Sequence, residues 1–509
     1  MLLKSLTVLG AAVFAATPAS RVAEIEDPDT AAWWQATEAL SGDAMEGRDT
    51  GSPGYDRAAG LLAAKFAAAG LKPAGENGTW FQPLRFSDET VDPVASRISV
   101  GAARLRMLHD VTVAPSPGMP GTVRAALAFR GYCAPGTLGD VRGKVVLCYG
   151  WRRAGLTSGA TRAAAVEQAG AAGIVTIADP GFTVEPMRWP VAYARRVAPV
   201  DASAPAADRL LVTTLNPQAL AGVLAGSGHD AAALLRAGSA GASLPSFDLD
   251  APFVATVAMR RRMITSANVL GVLPGRDPLL RREHVVLSAH LDGYGRGEAV
   301  RGDGLYNGAL DNAAYVALLQ RLAERRKGVG YRRSVIFAAF TGEEKGLLGA
   351  HAFVARPTVP RGDLVANINL DQLRPIFPLE LLTVHALDDT TLGDMVRATA
   401  TAAGVAVQRD PEPERNLLRR ADHWPFLAAG IPATGFVFGY RPGTEAERRY
   451  RLWYETRYHK PQDDAGQPMD WTAAAKFNAF FYALVERVAD APAAPAWKPA
   501  SVLREPARR

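Results

Sequence analysis

Between residues 267 and 490 short apolar runs alternate with longer segments whose apolar residues recur at helical spacing. The runs at 285–289, 334–340, 364–370, 381–385 and 433–438 predict strands, the first of them buried. Helices are expected over 312–326, 346–355, 390–403, 422–429 and 471–488. The alternation predicts an α/β fold with a mostly parallel central sheet flanked by helices. Ligands of such sheets bind beyond the carboxyl ends of the strands.

Upstream, helical spacing is expected over 30–40 and 55–69, separated by a Gly/Pro-punctuated loop at 44–54. Within that loop Arg48 and Thr50 are functional candidates that pattern alone reads as loop structure. The character changes at Pro115, where an Ala- and Gly-rich stretch begins and runs to 251. It alternates strand-like runs (123–129, 144–148, 173–178) with a helix at 160–169, and gathers no cluster of His with carboxylates. It reads as an inserted domain without catalytic chemistry of its own. The expected partition is therefore an N-terminal helical part (21–114), the insert (115–251), a catalytic domain (252–490) and a flexible tail (491–509).

Residues 1–20 have the plan of a secretory signal peptide: a basic end at Lys4, an apolar run from Ser5 to Ala16, then small residues to Ser20. The expectation is an exported protein, periplasmic or secreted. Export permits a Cys133–Cys148 disulfide; two buried thiols are the alternative. A formal charge of +6 without a dense Lys/Arg tract argues against a nucleic-acid partner, and no segment after the leader is apolar enough to span a membrane.

Chemistry-bearing residues fall at the carboxyl ends of the predicted strands. His290 follows the first, with Asp292 two residues on; Glu343 and Glu344 follow the second, and Asp371 the third. His459 lies in a loop after the last strand, and Asp311 at a helix start on the same side. Taken singly, Asp311 is equally a helix cap and His290 an ordinary loop histidine. Together, His290, Asp311, Glu344, Asp371 and His459 are the donor types that hold two dications, which sit about 3.5–4 Å apart in two-metal hydrolases. Three carboxylates against two dications leave a positive charge that a hydroxide nucleophile would cancel. Glu343, beside a ligand but not needed as one, is then the candidate general base. Asp292 is expected to orient the His290 imidazole.

The motifs His290-Leu-Asp292, Ala309-Leu-Asp-Asn312, Thr341-Gly-Glu-Glu344, Asn369-Leu-Asp371, Asp422-His423 and Tyr458-His-Lys-Pro461 resemble the M28 family of co-catalytic zinc aminopeptidases. Segments 138–147 and 169–174 are similar to a protease-associated (PA) domain. The resemblance implies two Zn²⁺ per chain and peptide substrates shortened from the amino end. It makes Asp311 the bridging ligand, with His290 and Asp371 completing one site and Glu344 and His459 the other. It also implies a cis Asp311–Asn312 peptide. Ala421 and Gly293 depart from the pattern, where the family more often has Ser and a larger polar residue. Asp422 and His423 are candidates for substrate contact or for a helix start, and His351 and His385 are taken as structural. A carboxypeptidase or dipeptidase, a one-metal glutaminyl cyclase and a metal-free binding protein are the alternatives.

Overall fold

The computed structural model describes residues 20–150, 158–200, 209–371 and 373–504; the signal-peptide reading falls almost wholly on residues 1–19, outside them. The catalytic part is built on strands β1 (Phe81–Val91), β2 (Arg195–Pro199), β3 (Met259–Leu273), β4 (His284–His290), β5 (Ser334–Phe340), β6 (Leu364–Asn369) and β7 (Ala433–Thr434). Their order across the sheet is β7-β6-β4-β5-β3-β1-β2, with the short Lys72–Pro73 strand also paired to β3. Strands β7, β6, β4 and β5 are mutually parallel; β3, β1 and β2 continue the sheet antiparallel.

Helices α1 (Pro28–Ser41), α2 (Pro53–Ala68), α3 (Ala314–Arg325), α4 (Leu348–Ala355), α5 (Thr391–Ala402), α6 (His423–Ala428), α7 (Glu445–Thr456) and α8 (Trp471–Ala489) surround it. On one face Val285, Leu287 and Ala289 of β4 pack into a core shared with α1, α2, α3 and α8. On the other, Val286 joins Ile336, Phe340, Phe353 and Phe426 under α4 and α6. Covering both faces explains why β4 and β5 read as unbroken apolar runs. It also leaves their carboxyl ends as the place where polar side chains meet.

The elements that sequence periodicity passes over are the polar ones. Strand β3 begins Met-Arg-Arg-Arg, and its outer half pairs with β1 across eleven positions. There the charges satisfy each other: Asp88 receives both Arg195 and Arg262 at 2.7 Å. Helix α7 is rich in Arg and Glu and buries only Tyr450, Trp453 and Tyr454. Its apolar signal is a single narrow stripe.

A second sheet of eight strands starts with Arg97–Val100 and ends with Ser246–Thr256. The expected boundary at 115 followed composition, whereas pairing sets it earlier: Val111–Val113 pairs with Leu211–Leu215. Cys133 and Cys148 form a disulfide within it. From this region β2 returns to the first sheet, so residues 185–197 pass over the carboxyl ends of the parallel strands. The tail expected to be flexible is docked as far as it is described. Trp497 Nε1 donates to the Gly430 carbonyl at 2.7 Å, and Leu503 packs against the α4–α6 core.

Candidate metal centre

His290 is the last residue of β4, where strand and sheet deliver it to the edge. Asp311 lies in the tight turn that feeds α3, after Gly308. That glycine has φ of +60°, and a Cβ there would stand 2.3 Å from the Asp311 carbonyl, so the turn admits no side chain. The Asp311–Asn312 peptide is cis. Glu343 and Glu344 open a single 3₁₀ turn after β5, and Asp371 stands two residues beyond β6. His459 follows α7 with a left-handed φ of +53°, a conformation costly for a non-glycine and typical of constrained sites.

These side chains converge in a buried patch. His290 Nε2 lies 3.3 Å from Asp311 Oδ1 and 3.9 Å from Asp371 Oδ1. His459 Nε2 lies 3.3 Å from Asp311 Oδ2 and 3.3 Å from Glu344 Oε2. Two triads thus share Asp311: His290–Asp311–Asp371 and Asp311–Glu344–His459, each with its ligand atoms within 4.8 Å of one another. Glu343 stands beside the first, its Oε2 3.8 Å from His290 Nε2.

The surrounding shell fixes these positions. The Asp292 carboxylate accepts from the backbone N–H groups of Glu343 (3.0 Å) and Glu344 (3.3 Å) and from the Thr50 hydroxyl (3.1 Å). The His290 ring is held instead by the Asp292 main-chain carbonyl, 3.0 Å from Nδ1, with the carboxylate at 3.8 Å. The expected carboxylate–imidazole contact is therefore replaced by a carboxylate that anchors both glutamates. Opposite, Asp463 accepts from the N–H groups of Leu310 (3.0 Å) and Asp311 (2.9 Å), and from Gln467. Sequence reasoning misses Asp463, although it sits four residues after His459. Tyr294, four residues beyond His290, places its hydroxyl 2.8 Å from His459 Nδ1.

Arg48, which the sequence presents as loop structure, is completely buried and gathers the site's loops by donating to the carbonyls of Leu40, Leu291, Asn307 and Gly308. The same approach explains Gly293: a Cβ there would lie 2.8 Å from the Gly47 carbonyl. Arg48→Met would strand four carbonyls in a dry interior. Charged hydrogen bonds contribute about 1.5–3 kcal/mol each and are not additive, so a loss of about 3 kcal/mol or more is expected in denaturant unfolding. A change within about 0.5 kcal/mol, the scale of an ordinary surface substitution, would contradict this role.

The electrostatics call for positive charge. Burial pushes the Glu343 and Glu344 carboxyls well above the usual range, His290 opposing the shift in both. In Glu343 the neighbouring Asp371 adds to it, and in Glu344 the neighbouring Asp311 does. Burial would also raise Asp311, but His290 and His459 hold it well below. Burial, with Arg188 alongside, depresses the His459 imidazole to about 3, leaving the neutral ring that ligates metals. Glu344 Oε1 is buried without a hydrogen-bond partner. A carboxylate crowd with two imidazoles and an unsatisfied oxygen fits divalent ions with nitrogen and oxygen ligands, Zn²⁺ among them.

The remaining candidates divide. Asp422 is buried, with neither carboxylate oxygen hydrogen-bonded; burial pushes its carboxyl well above the usual range, with His290 opposing and Asp292 and Asp371 adding to the shift. His423 turns away from the metal ligands, its ring stacked 5.0 Å from His385 and against Gly435. His385 is thereby a packing partner, and His351 lies on α4.

Fold and clustered side chains together define an α/β protein with a candidate metal centre at the carboxyl ends of its parallel strands. Residues 268–485 match the family model for peptidase family M28. The aminopeptidase from Aneurinibacillus sp. strain AM-1 superposes with a TM-score of 0.61 at 18% identity, covering 95% of this chain and 97% of that one. BSAP, a zinc aminopeptidase from Bacillus subtilis, gives 0.60 at 19% identity, covering 91% and 96%. By sequence, aminopeptidase YwaD of Bacillus subtilis is 25% identical over 221 residues, 42% of this chain and 45% of the relative. The alkaline phosphatase isozyme conversion protein of Escherichia coli is 29% identical over 163 residues, 30% of this chain and 46% of the relative. The matched segment spans about half the length of these curated relatives.

Proposed function

We propose that this chain is an exported di-zinc exopeptidase that releases N-terminal residues from peptides. The observation that carries the reading is the sharing of Asp311 by two three-ligand clusters. In it His290, Asp311 and Asp371 hold one Zn²⁺, and Asp311, Glu344 and His459 the other. Bound there, the ions supply Lewis acidity toward the scissile carbonyl and make a water acidic near neutral pH.

The chain's own groups do the rest. Glu343, held beside His290 and lifted in pKa by burial, takes the proton of the attacking water and returns it to the departing amine. Asp292 keeps the Glu343–Glu344 turn in register through its two N–H contacts. The Asp463 carboxylate does the same for the backbone leading into Asp311. The Tyr294 oxygen accepts a hydrogen bond from His459 Nδ1 when Nε2 faces a metal, which fixes the ring's tautomer. The leader-like residues 1–20 and the Cys133–Cys148 disulfide support export. The second sheet is read as a PA-type insert that lends residues 185–197 to the cleft.

The test is a free α-amine. A peptide and its N-acetylated form are incubated with the zinc-loaded protein, and the released amino acids are identified. Release from the unblocked peptide alone, starting at its amino end, is expected. Equal cleavage of both, or release from the carboxyl end, would overturn the aminopeptidase reading and favour a carboxypeptidase or dipeptidase of the same fold.

A further inference from the structure

A cleft of about 550 Å³ opens beside the Glu344–His459 half of the centre, walled by Arg188, Tyr193, Tyr294, Lys345 and those two residues. Arg188 and Tyr193 come from the crossing segment 185–197, so the inserted region supplies one wall. The cleft is rich in cations, and nearly all of them are spoken for. Lys345 meets Asp49 at 3.3 Å, Arg195 meets Asp88 at 2.7 Å, and Arg196 meets Glu89 at 3.3 Å.

Arg188 differs. Its nearest carboxylate is Glu185, at 3.9 Å. Both Glu185 oxygens are already taken by Arg420 at 2.8 Å, and Arg415 lies 3.3 Å from one of them. Arg188 is stacked on the Tyr458 ring at 4.3 Å and is 21% exposed, so the guanidinium is fixed rather than trailing in solvent. Its one close polar contact with the centre is His459 Nδ1, at 3.1 Å. That nitrogen accepts a hydrogen bond only while Nε2 carries the ring proton. Once Nε2 turns its lone pair to a metal, Nδ1 is an N–H group that faces the Tyr294 oxygen. The Arg188 donor then has no acceptor at the ring. A planar guanidinium with free N–H groups at the wall of a cleft binds a carboxylate through two parallel hydrogen bonds.

We propose that Arg188 is a specificity-determining residue that receives a carboxylate of the substrate. That carboxylate is the acidic side chain of the residue being released or the terminal carboxylate of a very short peptide. The inference rests on the exopeptidase reading and narrows its substrate class.

Two substrate pairs separate the sources. A glutamyl chromogenic anilide against its glutaminyl counterpart carries the charge only in the side chain. Leu-Ala against Leu-Ala amide carries it only at the terminus. The holoenzyme is expected to favour the anionic member of one pair by about 10-fold or more in kcat/KM. Arg188→Gln is expected to reduce that ratio by about 10–100-fold, the scale of one charged hydrogen-bonded pair, and Arg188→Lys to keep part of it. The pair that responds identifies the source. No preference in either pair, an unchanged ratio in Arg188→Gln, or an equal fall on all four substrates would overturn the proposal; the last would assign Arg188 to positioning His459. If the variants do not fold, competitive inhibition of leucyl-anilide hydrolysis by glutamate against glutamine, and by Leu-Ala against its amide, tests the same preference on the unaltered holoenzyme. The anionic ligand of one pair should bind about 10-fold tighter, and equal binding in both pairs would overturn the proposal. Cleavage of the neutral amide by the unaltered enzyme keeps the exopeptidase reading standing even if Arg188 fails; loss of all free-amine hydrolysis removes that reading instead.

Discussion

If the centre holds two zinc ions as proposed, Glu343→Gln is expected to retain both and to lower kcat by about 10²–10⁴, the usual contribution of a general base. The substitution keeps the size of the side chain and leaves the backbone N–H that Asp292 receives at 3.0 Å. What it removes is the carboxylate that burial lifts well above the usual carboxylate range. Its neighbour behaves differently. Glu344 Oε2 closes a triad with Asp311 and His459, so Glu344→Gln is expected to empty one metal site, with turnover partly restored by excess Zn²⁺. Metal content measured beside kcat for both variants decides the matter. An emptied site in Glu343→Gln, with Glu344→Gln fully loaded and inactive, would reverse the two roles.

The second large effect is at Asp311. Its two oxygens face different imidazoles, each at 3.3 Å, so it is the residue that both ligand sets have in common. Asp311→Asn removes a negative charge from both sites at once. Loss of an outer hydrogen-bond partner costs about 10–100-fold in metal affinity. Loss of a shared ligand charge should exceed that at each site, with occupancy falling at both and activity near background. Competition with a chromogenic chelator gives the two affinities. Weakening of one site with the other unchanged would show that Asp311 is not shared.

Much of this site is legible in the sequence alone, because its ligands sit at the ends of the most regular elements. Buried parallel strands give unbroken apolar runs, and the residue after each run must face the sheet edge. His290 and Asp371 stand at such ends, and Glu343 and Glu344 lie in the turn that follows β5. The shell around them does not, for a physical reason. Arg48, Asp463 and Asp292 act by hydrogen bonds to backbone groups brought together only in three dimensions. Arg48 and the Leu291 carbonyl it binds are 243 residues apart. Asp292 stands out in the sequence for its spacing from His290, yet its carboxylate serves the Glu343–Glu344 turn. The same limit hides the outer antiparallel strands. Their polar halves are stabilised by cross-strand ion pairs such as Arg262–Asp88, which leave no hydrophobic period to read. The cleft wall from residues 185–197 is hidden too, since a crossing between two sheets has no sequence signature.

The count of metal ions per chain tests the two-site mechanism most directly. Protein purified in Zn²⁺ and freed of excess metal should carry two zinc ions per chain by elemental analysis. Stepwise chelation should abolish peptide hydrolysis, and re-addition of Zn²⁺ should restore it. A single tightly held ion supporting full activity, with no second ion bound at any zinc concentration, would contradict it.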